Sequence, residues 1–481
     1  MTESWVVEEM ETADLKDARL TARLGQVLDQ LSARPTASIP AACGGYAEMA
    51  AAYRLFDNEK ATFKRILAPH AEATRKRMAA QETVLLAQDT TEVNVTRPVR
   101  QVEGAGPLDG GERRGMLLHE LHAFTPDGTP LGTVASTPWV REERTGEKLT
   151  RAQRAAIPIE SKESYRWIET LSVARKEADR CPDTRLICVC DSEADIYEFL
   201  AEAQAEPRRI DWIVRGCQDR ALQTEGGDAA RHIEEHVRAQ PALFSQTISV
   251  RGRDAKVACE TRGRRKARPS REAHVEIRSA QVTLRPPWRR GHKLPETQVN
   301  AVLVHEVDAP EDDEPVEWLL LTSLPVGDAD LAREVIQYYC ARWMIEIFFR
   351  VLKSGCRVEA RRFERIDRFQ TCLAVYLIVA WRTLYVCRLA RECPDIDCEA
   401  VFEPAEWKAV WKVLRRSDPP SKPPPLGEMV KLVAQLGGYI PRKSAGPAGP
   451  QTVWLGLQRA HDFAICWKTF GPEAGMERPD V

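Results

Sequence analysis

The sequence predicts an α/β protein whose core sheet is interrupted by a β-rich insertion and flanked by helical domains at both ends. Three observations predict it. Apolar runs of strand length alternate with helical periodicity between residues 76 and 392. Two of those runs stop at an aspartate, Asp89 and Asp191. Residues 218–317 lose the alternation and read as short strands joined by Arg-rich turns.

Residues 1–75 read as a small helical domain. Leu20, Leu24, Val27, Leu28 and Leu31 share one helical face over 14–32, with Arg19 and Arg23 beside it, and Tyr46, Met49, Tyr53 and Phe56 form a second stripe. Lys60, Lys64, Arg65, Arg75, Lys76 and Arg77 cluster near its end, as a solvated helix face or one that meets DNA. The core then predicts a strand at 83–88, strands at 116–124 and 130–136 around the Asp127-Gly128 turn, a helix at 162–178, a strand at 185–190, a helix at 193–205 and a strand at 210–215. An antiparallel meander followed by alternation of strand and helix is the order of a ribonuclease-H-like core. In the insertion, strands are expected at 244–250, 275–277 and 299–305, before Leu319 to Thr322 resumes the α/β pattern. Phe369 to Ala390 is a nearly all-apolar helix expected beneath the sheet. Residues 393–481 form a helical tail. In it Trp407 and Trp411 make an i,i+4 pair, read as an exposed stripe suited equally to association or to packing within the chain, and Met429, Leu432, Val433 and Leu436 end at the capping pair Gly437-Gly438.

Composition narrows the function classes. With 481 residues, 43% hydrophobic content and a formal charge of −2, the chain suits two or three globular domains, and nucleic-acid binding must be argued locally rather than from net charge. The longest apolar run, Cys372 to Trp381, is too short for a bilayer, and Met1 to Ser4 is no secretory signal, so a cytoplasmic protein without a membrane partner is expected. Thirteen scattered cysteines without a CxxC pair read as reduced core thiols. Cys188 and Cys190 are taken to point to opposite faces of their strand, and so not to pair on zinc; His119 and His122, three apart on a strand, read as packing residues. The strongest local charge lies at 251–272, where nine cations (251, 253, 256, Arg262, Arg264, Arg265, Lys266, 268 and 271) outnumber three acids. Trp288-Arg289-Arg290 adds an aromatic beside two guanidinium groups. Such a patch suits a phosphate backbone, or is a solvated loop. The acidic run 311–314 reads as a solvated turn.

The most informative pattern is Tyr339, Arg342, Glu346 and Lys353. On one helix these offsets fall within an arc of about 60°. A carboxylate between two cations suits a metal-bound phosphodiester, although Arg342 and Glu346 also make an ordinary i,i+4 surface pair. Asp89 and Asp191 stand where buried strands meet loops, the place where open α/β sheets gather ligands. Two strand aspartates and a helical glutamate, far apart in sequence, can hold two divalent ions roughly 3.5 to 4 Å apart for in-line phosphoryl transfer.

Asp89-Thr90-Thr91, Val189-Cys190-Asp191 with Glu193-Ala194-Asp195-Ile196, and Tyr339-x2-Arg342-Trp343-x-Ile345-Glu346-x6-Lys353 resemble the motifs of bacterial cut-and-paste DDE transposases with a Y-R-E-K signature, the Tn-five type of insertion-sequence family four. The resemblance extends to Arg19-Leu20-Thr21-Ala22-Arg23-Leu24, Ala52-Tyr53-Arg54-Leu55-Phe56, Leu436-Gly437-Gly438 and Trp454-x-Gly456-Leu457-Gln458-Arg459, covering almost the whole chain. It implies a DNA-binding domain at 1–75, a ribonuclease-H-like catalytic domain at 76–392 with its insertion at 218–317, and a dimerisation domain at 393–481. It implies Asp89, Asp191 and Glu346 as catalytic ligands of two Mg2+ ions, or Mn2+, with Arg342 and Lys353 gripping phosphates and Tyr339 hydrogen-bonding one. Trp318, before the strand at 319–322, would stack on a flipped base, or else pack at the strand end. The implied reaction is nicking at the terminal inverted repeats, hairpin formation and opening, and strand transfer into target DNA by a homodimer on paired ends, in a bacterium and on its nucleoid. A nuclease that only hydrolyses and a non-catalytic DNA-binding descendant are the rival readings.

Overall fold

The computed structural model describes residues 4–472 except 144–149, 151–152, 154–156, 208, 224–231, 251, 253–268, 290–292, 312 and 443–446. Five helices come first, α1 (Ser4–Glu9), α2 (Ala18–Ala33), α3 (Ile39–Cys43), α4 (Tyr46–Phe56) and α5 (Phe63–Ala79). Asp17 starts α2 by accepting the backbone N–H groups of Arg19 and Leu20, and the helix buries Leu24, Val27, Leu28 and Leu31. Helix α5 runs through residue 75 and buries His70, Thr74 and Met78. Three of the cations gathered on it do not form an open basic face: Arg75, Lys76 and Arg77 are paired with Glu72, Glu11 and Glu9, and Arg77 covers the Trp381 ring at 4.2 Å. The acids come from α5 itself (Glu72), from α1 (Glu9) and from the residues after α1 (Glu11).

The core elements are β1 (Thr83–Asn94), β2 (Gly106–Pro107), β3 (Arg114–Phe124), β4 (Pro130–Trp139), α6 (Tyr165–Arg180), β5 (Arg185–Cys190), α7 (Tyr197–Gln204), β6 (Asp211–Gly216), α8 (Ile233–Arg238), β7 (Phe244–Val250), β8 (Arg271–Leu284), β9 (Thr297–Glu306) and β10 (Glu317–Thr322). All ten strands form one mixed sheet in the order β2-β3-β1-β5-β6-β10-β9-β8-β7, with β4 on β3. β1, β3 and β4 make the expected antiparallel meander, while β1, β5 and β6 run parallel. The insertion is β-rich as expected, but it is no separate module: β10 pairs with both β6 and β9, so its strands continue the core sheet. The strand expected at 275–277 is the middle of the 14-residue β8, where Ala273, Val275 and Ile277 alternate inward.

Both faces of the sheet are covered. Leu86, Cys188, Cys190, Trp212 and Val214 pack under α6 and α7. Leu85, Ile187, Val189, Ile213 and Leu320 pack under α9 (Ala329–Ala341) through Val335, Ile336 and Tyr339. Cys188 and Cys190 therefore share a face, and their sulfur atoms lie 3.7 Å apart. This corrects the expectation that they diverge, since side chains two apart on a strand point the same way. His119 and His122 are buried packing residues, against Trp167 and Phe348 respectively.

After α9 come α10 (Met344–Arg350), a π-helical turn at Val351–Gly355, and α11 (Ile366–Glu392). The 27-residue α11 has the length and mean hydropathy of a membrane span, but 78% of its apolar window is buried inside the protein, the character of a central core helix. The tail contains α12 (Pro404–Arg415), α13 (Leu426–Leu436) and α14 (Pro450–Phe470). Trp407 is 1% exposed and donates its indole N–H to Glu399 Oε1 at 2.9 Å, so it is a core residue of the tail rather than part of an exposed stripe. Trp411 packs against the same cluster, which includes Val386, Cys387 and Ala390 of α11. The two ends of the chain meet: Arg34 pairs with Asp462 at 3.2 Å, and Thr36 donates to Gln458 at 2.6 Å. Buried Arg361 donates to the carbonyls of Pro35, Ala37 and Cys356, tying the N-terminal helices to the turn that follows α10.

Candidate active site

Strand register builds the site. Gln88 pairs with Cys190 across parallel β1 and β5, and Cys190 pairs with Val214 across parallel β5 and β6. The next residues along these strands, Asp89, Asp191 and Arg215, are thereby set side by side, at the C-terminal ends of β5 and β6 and beside the middle of β1. Asp89 is buried in the middle of β1, and its Oδ1 accepts Thr90 N–H at 2.7 Å. Asp191 caps the 3-10 turn Ser192–Ala194, and its Oδ1 accepts Glu193 N–H at 2.8 Å. Neighbouring Asp195 is wholly structural: it pairs with Arg220 and accepts the N–H groups of Cys217 and Gln218 at 2.8 and 2.9 Å.

The signature residues do not lie on one continuous helix. Tyr339 is in the last turn of α9, Arg342 caps that helix, Glu346 is in α10, and Lys353 is in the π turn. The stripe breaks because Arg342, Trp343, Ile345 and Glu346 donate to carbonyls three residues back, which tightens the backbone, and Cys356 donates five residues back to Val351, which widens it. The four residues nevertheless converge. The Arg342 guanidinium lies 5.7 Å from the Tyr339 ring, bonds Asp89 Oδ2 at 2.8 Å and stands 3.8 Å from Glu346 Oε1. Lys353 interacts with Glu359, Glu92 and Glu346, which offset the burial that pushes its ammonium pKa down.

Electrostatics unite the three acids. Burial, reinforced by the Asp191 charge, pushes Asp89 up to about 7; Glu346 adds to the shift and Arg342 opposes it. Asp191 is raised by burial, against its bond from Glu193 and the charges of Arg342 and Arg215. Burial also acts against the Arg342 charge, but Asp89, Tyr339, Asp191 and Glu346 together outweigh it, and its pKa is raised. Three carboxylates with hard oxygen donors, two of them acting against the charge of Asp89, fit a divalent cation in their chemistry. In the present arrangement Arg342 takes the counter-charge role, and among the described residues no three His, Cys, Asp or Glu side chains are gathered closely enough to enclose an ion.

Two residues enlarge the site. Trp318 falls inside β10 rather than before it; it meets the Tyr339 ring edge-to-face at 5.8 Å and is half-buried. Arg215 lies 6.0 Å over Trp318 and interacts with Tyr339 and Asp191, a role that sequence reading missed. Its one signal was a cation directly after the apolar run Trp212-Ile213-Val214.

The basic residues of the insertion are a different matter. Arg262, Arg264, Arg265, Lys266 and Arg290 lie outside the described residues. Arg289 is paired with Glu198 at 2.7 Å beside the highly exposed Trp288. Arg271 is bound by Glu306 and Asp313, so Asp313 of the acidic run is an ion-pair partner and not merely part of a solvated turn.

Three family models match the chain in order: a transposase DNA-binding model over residues 2–61, a transposase DDE domain over 176–381, and a transposase Tn5 dimerisation domain over 378–468. The chain belongs to the Tn5-type DDE transposases. The DDE match of this transposase family takes in Asp191, Tyr339, Arg342, Glu346 and Lys353 and begins after Asp89. Among solved structures, the chain is similar to the piggyBac transposase in a synaptic complex with hairpin DNA, at 10% identity and a TM-score of 0.32, covering 68% of this chain and 52% of that one. The chain thus spans about half the length of that protein.

Proposed function

We propose that this protein is a DNA transposase whose Asp89, Asp191 and Glu346 carry out phosphoryl transfer on the ends of a mobile element. The observation that carries the reading is the convergence of three sequence-distant carboxylates on Arg342, from the middle of β1, the end of β5 and helix α10. The order β4-β3-β1-β5-β6, antiparallel in its first three strands and parallel in its last three, supports a ribonuclease-H-like core. The family matches support DNA binding by the N-terminal helices, and they support dimerisation through the tail.

Asp89, Asp191 and Glu346 would hold divalent metal, two Mg2+ ions or Mn2+ in their place. When bound, such ions activate an attacking oxygen and stabilise the leaving one. Arg342 and Lys353 supply cations for non-bridging phosphate oxygens, Arg342 with a fork that matches two of them. Tyr339 offers a hydroxyl donor at the same place, next to Arg215. Trp318, held edge-on to Tyr339, presents an aromatic surface on which an unpaired base at the DNA end could stack. One such site serves nicking, hairpin formation and opening, and strand transfer in turn. For the dimer, α14 offers Leu455, Ile465 and Phe470, large apolar side chains exposed on its outer side.

The test is a joining assay with duplexes copied from the DNA flanking the coding sequence. Mg2+-dependent nicking, a hairpin product and joining to a second DNA support the transposase. Hydrolysis without joining would favour a nuclease, and binding without cleavage a non-catalytic descendant.

A further inference from the structure

A buried arginine ordinarily uses its donors fully. Arg342 does not: one Nη bonds Asp89 Oδ2 at 2.8 Å, the other stands 3.8 Å from Glu346 Oε1, and Nε is buried without a hydrogen-bond partner. At Asp89 both carboxylate oxygens are engaged, Oδ1 by Thr90 N–H and Oδ2 by Arg342. The guanidinium therefore occupies one acceptor position of the carboxylate that a divalent cation would bind, and its charge repels a cation there.

Resting on the transposase reading above, we propose that Arg342 is an internal counter-ion latch. In the DNA-free protein it holds Asp89 and keeps divalent cations off the three carboxylates. A phosphodiester entering the site offers the under-used guanidinium a bidentate acceptor in place of its single bond to Asp89, draws it from Asp89 and opens the carboxylates to metal. Metal loading thereby depends on DNA. The apparent metal affinity of the free protein is lowered in proportion to the fraction of molecules in which the latch is open.

The test is Mn2+ binding to the full-length, DNA-free protein, followed by the loss of the free-ion electron paramagnetic resonance signal. The proteins compared are wild type, Arg342→Gln, Arg342→Lys, Asp89→Asn and the Arg342→Gln, Asp89→Asn double variant. Arg342→Gln should bind Mn2+ about tenfold or more tightly than wild type, as expected when a mostly closed state is removed. The double variant should lose that gain. Arg342→Lys, which keeps the charge without the fork, should gain less, and it keeps the proposal testable if Arg342→Gln fails to fold. Equal Mn2+ affinity in wild type and the Arg342 variants, with binding still lost in Asp89→Asn, would overturn the latch and leave the metal site standing. Binding that Asp89→Asn does not weaken would overturn both.

Discussion

The Arg342 guanidinium and the Asp89 carboxylate meet at 2.8 Å with side-chain exposures of 8% and 9%, joining the break between α9 and α10 to β1. Removing one member of a buried pair leaves the other uncompensated, at a cost of about 3–5 kcal/mol. The two members are not equivalent here, because Asp89 is also repelled by Asp191 and Glu346. Arg342→Ala should therefore lower stability by a cost of that order without metal, about 3–5 kcal/mol in urea unfolding, and Asp89→Asn by much less. Equal losses would mean that carboxylate repulsion contributes little to the site.

Glu120 is fully buried beside Thr133 and His122, and burial pushes its pKa up to about 8 from 4.5. An acid raised on folding contributes stability that is fully present below its unfolded pKa and is lost as pH rises through the folded value. Between pH 5 and 8 the wild type should therefore lose stability relative to Glu120→Gln, with a slope of up to about 1.4 kcal/mol per pH unit. Parallel pH profiles for the two proteins would show that Glu120 ionises at its ordinary pKa in the fold.

Trp407 and the apolar side chains of α14 separate folding from assembly. Trp407→Ala should cost about 3–5 kcal/mol, as expected for truncating a fully buried aromatic, and should unfold the tail along with the α11 contacts it shares. Phe470→Glu, at an 84% exposed position, should leave thermal stability and single-end binding nearly unchanged while weakening paired-end complexes on native gels. Paired complexes unaffected by Phe470→Glu, Leu455→Glu and Ile465→Glu together would remove α14 from the dimer proposal.

Much of this organisation was legible in the sequence, for identifiable reasons. β1 and β5 announce themselves as apolar runs, so the position of Asp191 at the end of β5 could be read, whereas β1 does not stop at 88 as expected but runs on to Asn94 and puts Asp89 in mid-strand, because the polar residues after Asp89 keep pairing with β3. Tyr339, Arg342, Glu346 and Lys353 could be read from spacing, although the short-range bonds around Arg342 and the π turn depart from the ideal helix assumed. Arg215 could not be read, because its role comes from the pairing of β6 with β5 and no local pattern marks it. The insertion could be read as β-rich but not as a continuation of the core sheet, because alternation reveals a strand but not its partner. Trp407 looked exposed for a similar reason: helical periodicity defines a face and leaves open what covers it.

Trp318 contacts Tyr339 and not the carboxylates, so it should affect one step of the reaction more than others. Trp318→Ala should slow hairpin formation more than the first nick, by an amount comparable to a lost stacking contact of roughly 1–3 kcal/mol. An abasic site or mismatch at the unstacked position should restore part of the loss. Equal slowing of both steps, with no rescue by a modified end, would reduce Trp318 to packing.

Whether Asp89, Asp191 and Glu346 act together as one metal-dependent site is decided by end cleavage with purified Asp89→Asn, Asp191→Asn and Glu346→Gln in Mg2+. Each variant should bind end DNA nearly as the wild type does and lose nicking by at least about a hundredfold, since loss of a direct metal ligand should cost no less than loss of an outer-shell partner. Substantial Mg2+-dependent cleavage by any one of the three would contradict the account.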